Sequence, residues 1–121
     1  MAPTFPVNTR EFTAEVDGIS TSFIMSAYAD RIMVVVTQLG TFGTVLLSRA
    51  DGLLEGKQTF TVDTLLGKRD EPALIVCARH MAESIMTVGC NRPLLLCLGL
   101  KQHSFDSMRT IIKEVLAHPV W

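Results

Sequence analysis

Cys77 and His80 stand three residues apart in a stretch with helical periodicity, so both side chains fall on one side of a helix. A thiolate and an imidazole so placed are half of a structural zinc site. No second pair of ligands stands at a matching spacing, and the pair reads as a core cysteine beside a solvent-facing histidine. Cys90 sits between Gly89 and Asn91-Arg92, where a neighbouring cation could favour a thiolate. Gly40-Thr41-Phe42-Gly43 has the glycines of a phosphate loop but not its Lys-Ser/Thr ending, and a strand rather than a helix should follow it. Asp70-Glu71 could be an acid/base pair only in opposed environments. As the acidic start of a helix they need nothing more. No serine occupies a G-x-S-x-G elbow. Residue chemistry therefore predicts no enzyme, no cofactor and no metal centre.

What remains is suited to holding another protein. Leu39 and Phe42 sit at the glycine-punctuated turn. Arg49 to Lys57 is a polar stretch carrying Arg49, Asp51, Glu55 and Lys57 and should be a loop. Trp121 ends the chain, and tryptophan is a preferred interface anchor. For Phe42 and Trp121 the competing reading is packing against their own domain.

The elements that must position these residues follow from periodicity. Met1 to Thr9 carries two prolines and no pattern and should be disordered, leaving residues 10–121 as one domain. Arg10 to Val16 alternates as a half-buried strand, Asp17-Gly18 suits a tight hairpin turn, and Ile19 to Tyr28 returns. Arg31 to Gln38 is β-branched, Thr44 to Ser48 is the next strand, and Gln58 to Leu65 alternates again. Asp70 is a candidate N-cap for a helix with Leu74, Cys77, Ala78, Met81, Ala82 and Ile85 on its apolar stripe, ended by Gly89 or Asn91. Leu94 to Leu100 is almost purely apolar and reads as a strand covered on both faces. Ser104 caps a last helix whose stripe is Met108, Ile111, Ile112 and Val115. The order is β-β-β-β-β-α-β-α. Tight turns between consecutive strands predict antiparallel pairing, and the class is α+β: a six-stranded antiparallel sheet or small sandwich with two helices to one side.

The chain has 121 residues with a net charge of −1, 48% hydrophobic and 19% charged residues. A balance near neutrality provides no basic footprint for nucleic acid or anionic lipid. An apolar fraction this high in a small domain points to a subunit interface. Three cysteines with no C-x-x-C argue against a disulfide framework and for a reducing compartment. With neither a signal-like N-terminus nor a membrane-length apolar run, the expected location is the cytoplasm, with the nucleus also open.

Several short segments, taken in order, resemble the proteasome core-particle assembly chaperones, and within them the proteasome assembly chaperone 3 family. They are Val36 to Thr44 (VTQLGTFGT), Thr64 to Gly67 (TLLG), Asp70 to Pro72 (DEP), Asn91-Arg92 followed by Leu94 to Leu96, Lys113-Glu114-Val115 and the terminal Val120-Trp121. The resemblance implies a non-catalytic factor that pairs with proteasome assembly chaperone 4, a relative of similar fold. The pair would bind α-type subunits while the α ring is built and leave before the particle matures. The alternative from the residues alone is a homodimeric scaffold with other clients, since the apolar composition suits both.

Overall fold

Asp17 and Gly18 take φ of 54° and 75°, the left-handed pair that a two-residue hairpin needs. They join β1 (Asn8–Val16) to β2 (Ile19–Ala27) in antiparallel register from Asn8↔Ala27 to Val16↔Ile19. The strand thus begins two residues before the predicted Arg10. Asn8 and Thr9 are held there by pairing and by a bond from Asn8 Nδ2 to the Val120 carbonyl (3.2 Å). The computed structural model describes residues 8–38, 43–67, 71–101 and 104–121.

β3 (Ile32–Thr37) pairs antiparallel with β2, and β4 (Thr44–Leu54) pairs antiparallel with β5 (Lys57–Leu66). The predicted loop from Arg49 to Lys57 is therefore mostly strand. Glu55 and Gly56, at φ of 52° and 78°, form a second tight turn of the same kind, and the strands run right up to it. Sequence reasoning passed over Glu-Gly because its side chains are polar and exposed and no apolar alternation marks the flanks.

Helix α1 (Pro72–Thr87) follows, then β6 (Leu94–Gly99) and α2 (Phe105–Ala117). Pro72 opens α1, where its missing N–H costs nothing. The residue before it is Glu71; the predicted cap Asp70 lies outside the described residues. Past the end of α1, the Gly89 N–H reaches the Met86 carbonyl (3.0 Å) and the Cys90 N–H reaches Ile85 (3.2 Å), closing the helix in a Schellman arrangement. Ser104 caps α2 as expected, accepting from the Ser107 N–H at 3.1 Å.

The strands form one sheet in the order β1-β2-β3-β6-β4-β5. β6 enters the middle, antiparallel to β4 but parallel to β3, the one departure from the antiparallel expectation. Parallel pairing becomes possible because β3 and β6 are not consecutive: the chain has travelled through β4, β5 and α1 between them. Gly67, at φ 100°, lies against the start of β4. A Cβ there would stand 2.8 Å from the Gly43 carbonyl oxygen, so the close crossing of these two segments requires glycine.

Both helices pack together on one face of the sheet. That face supplies Val16, Phe23, Met25, Ile32, Val34, Val36, Leu46, Leu94, Leu96 and Leu98, all essentially inaccessible, against Leu74, Met81, Ile85, Met108, Ile111 and Val115 of the helices. Among the described residues, no helix is long and apolar enough to cross a membrane.

Candidate protein interface

Strand alternation sends every second side chain away from the helices. Register places Ile24, Val35, Cys97 and Val45 in one row across β2, β3, β6 and β4. Ser26, Met33, Leu95 and Leu47 form the adjacent row. Both rows point to the face opposite the helices, and no described element packs over it. Ile24, Met33, Val35, Val45, Leu47 and Leu95 are only half-buried, by neighbours in the same sheet. β6 was expected to be covered on both faces; among the described residues it is covered on one. Its Leu94, Leu96 and Leu98 meet the helices, while Leu95 faces the open side and Cys97 is buried there between adjacent strands.

The margins of this face are polar. Thr9 and Ser26 hydroxyls lie 3.4 Å apart, Arg49 Nη2 donates to Asp63 Oδ2 at 3.4 Å, and Glu11 and Glu15 line its β1 edge. An apolar centre framed by polar groups is the anatomy of an interface core and its rim.

β6 pairs with β4 only from Thr44 to Ser48. Beyond Ser48 the rest of β4 pairs with β5 alone, so the two project as a two-stranded arm. Arg49, Asp51, Glu55 and Lys57 all lie exposed on that arm. Asp51 accepts from the Thr59 hydroxyl (2.5 Å) and the Thr61 hydroxyl; these bonds hold its carboxyl below the usual carboxylate range, fixing a negative charge on the arm. At the tip, Leu53 and Leu54 are 73% and 66% exposed. They were missed in the sequence reading; the available signal was two adjacent leucines between glycines in an otherwise polar segment. Trp121, the other candidate, is half-buried and packs against the core, beside the buried Val120. Leu39 and Phe42 lie outside the described residues.

The thiols are all buried. Burial pushes Cys77 up to about 12 and raises Cys97 as well, so neither is a thiolate at neutral pH. Cys90 accepts from Arg92 Nε at 3.3 Å, and the same guanidinium donates to the Tyr28 carbonyl at 2.7 Å, so Arg92 fastens the entry to β6. His80 is exposed near Cys77, and no group of three His, Cys, Asp or Glu side chains among the described residues could hold a metal.

Comparison with known proteins bears on this geometry. The family profile for proteasome assembly chaperone 3 matches residues 34–117, more than half of the chain. The chain belongs to the proteasome assembly chaperone 3 family. It is 32% identical to proteasome assembly chaperone 3 of Bos taurus over 117 residues, covering 95% of each chain. It is 28% identical to the Homo sapiens protein of that name over the same length, again covering 95% of each. A chain from the crystal structure of a chaperone complex for yeast 20S proteasome assembly superposes with a TM-score of 0.70 at 15% identity, over 87% of this chain and 93% of that one. At that identity the likeness is one of fold. The six-stranded sheet with its pair of helices on one side is thus an architecture shared with a chain of that complex.

Proposed function

We propose that this protein is a non-catalytic chaperone of proteasome core-particle assembly that works as one half of a dimer, with proteasome assembly chaperone 4 as its partner. The observation that carries the proposal is the apolar open face of the sheet. Six half-buried apolar side chains on four neighbouring strands face outward, and no described element of the chain packs over them. A partner of the same architecture brings a matching face, and two such faces close into a sandwich with dry, interdigitated side chains. The membership of a chaperone family and the shared fold of a chain taken from a chaperone complex support this reading. So does the absence of an accessible thiol among the described residues.

The arm formed by β4 and β5 is the surface assigned to α-type subunits. Arg49, Asp51, Glu55 and Lys57 supply charges of both signs, and Leu53 and Leu54 supply apolar anchors at the tip. A contact of this size is displaceable: when β subunits arrive, the chaperone leaves without any covalent step. The cytoplasm, or the nucleus, is where we place this cycle, consistent with three unpaired cysteines.

Co-expression with proteasome assembly chaperone 4 and α-type subunits, read by native mass spectrometry, tests the proposal. The expected result is a one-to-one heterodimer and a ternary species containing an α subunit. Recovery of a second copy of this chain in place of the partner, with no α subunit, would favour the homodimeric scaffold.

A further inference from the structure

On the side of the molecule away from the open sheet face, the outer surfaces of α1 and α2 enclose a groove of about 250 Å³. Cys77, Met108 and the half-buried Ile112 form its floor. Val76 and Phe105 stand at its sides, 38% and 57% exposed. Neither belongs to the buried stripe of its helix, and Phe105 stands at the first helical position, next after the Ser104 cap. Two off-stripe apolar side chains on different helices thus converge on one groove.

Its remaining lining is polar: the Arg109 guanidinium, a fixed cation, and the His80 imidazole, with no Asp or Glu among the lining residues. Arg109 does face Asp106 at 3.9 Å, but both side chains are more than four-fifths exposed, 83% and 89%, so that surface pair is weak and easily exchanged. Arg79 and Lys113 are exposed nearby on the two helices, and Glu83 is the nearest exposed carboxylate beyond His80 on α1. The volume falls below the ~300–1,000 Å³ of small-molecule sites and suits one or two side chains. The floor thiol is held protonated, so the groove has no nucleophile.

We infer that the α1–α2 groove docks a short acidic–apolar segment of another protein, with one or two aliphatic side chains between Val76 and Phe105 and a neighbouring carboxylate on Arg109 and His80. The charge of the lip selects an acidic segment over a basic one. This surface is separate from the dimer face and from the β4–β5 arm, so it leaves both free.

The test is a heteronuclear NMR titration of the isotope-labelled protein with three capped tetrapeptides: acetyl-Leu-Glu-Leu-Glu-amide, acetyl-Leu-Lys-Leu-Lys-amide and acetyl-Ser-Glu-Ser-Glu-amide. The first should shift signals of Val76, His80, Phe105, Arg109 and Ile112. The other two should bind roughly tenfold more weakly, the loss expected when the charge-assisted contact or the apolar anchor is removed. Arg109→Glu, whose side chain is exposed and outside the core, should reverse the preference between the first two probes. Phe105→Ser should weaken the first probe and leave the third, which has no apolar anchor, unchanged. Equal response to the acidic and basic probes, no shifts at millimolar acidic probe, or shifts confined to Met33, Val35 and Leu95 would overturn the inference. Concentration-dependent shifts at the groove without any peptide would identify a second copy as the occupant and overturn it equally.

Discussion

The two faces of this sheet are built from the same strands and differ in how their burial is completed. On β6, Leu94, Leu96 and Leu98 are buried to within 2% by helices of their own chain. Leu95, one residue along, faces the other way and stays half-buried because, among the described residues, it is flanked by its strand neighbours alone. Chemically the two sets match: both are aliphatic, both lie mid-sheet. One face is completed by helices of the same chain; under the proposed function the other is completed by a partner, since an apolar face left uncovered in a small domain is unfavourable in water and marks an interaction site.

The largest effect should come from the helix-covered face. Leu96→Ala removes a fully buried side chain and should cost about 2–5 kcal/mol of unfolding free energy in urea titration. A loss below about 1 kcal/mol would blur the contrast between the faces. Gly67→Ala should come next, at about 1–3 kcal/mol, because it places a side chain at φ 100° and within 2.8 Å of a carbonyl oxygen. Ser48 offers a test with the opposite sign. Its hydroxyl is buried on the helix-covered face with no hydrogen-bond partner among the described residues, so Ser48→Ala should leave stability unchanged or raise it by up to about 1 kcal/mol. A measured drop would mean that the hydroxyl is satisfied after all. Smallest should be the joint replacement Leu53→Ser and Leu54→Ser at the arm tip. The melting midpoint should stay within the range expected of about 0.5 kcal/mol, while α-subunit capture in a pull-down should fall. A large fall in melting midpoint would show that the tip packs against its own domain.

Much of this was legible in the sequence, for reasons that differ by element. Alternation around Phe12, Phe23 and Val34 fixes strands because one face meets the helices and the other does not. Asp17-Gly18 announced its turn through residues that accept positive φ. Ser104 announced its helix through a hydroxyl that accepts from the backbone. Leu94 to Leu100 announced burial but not by what: a strand covered by its own helices on both sides and one covered by a helix and a partner read alike. That ambiguity is why β6 was assigned two covered faces. The arm was hidden for another reason. From Arg49 to Lys57 its residues are exposed on every side, so no periodicity betrays the pairing that register makes plain. The α1–α2 groove was invisible because Val76 and Phe105 lie 29 positions apart on two helices, and only their packing brings them together.

The central claim is that the open face is an association surface, and Leu95→Glu tests it most directly. Its charge would sit at the middle of the apolar rows and should not disturb the helix-covered core. Sedimentation velocity of the variant with proteasome assembly chaperone 4 should show two separate monomers, where the unmodified pair is expected to sediment as one dimer. Circular dichroism and the urea midpoint of the variant alone should match those of a folded monomer. A Leu95→Glu variant that still sediments as the dimer, with unchanged affinity, would contradict the account.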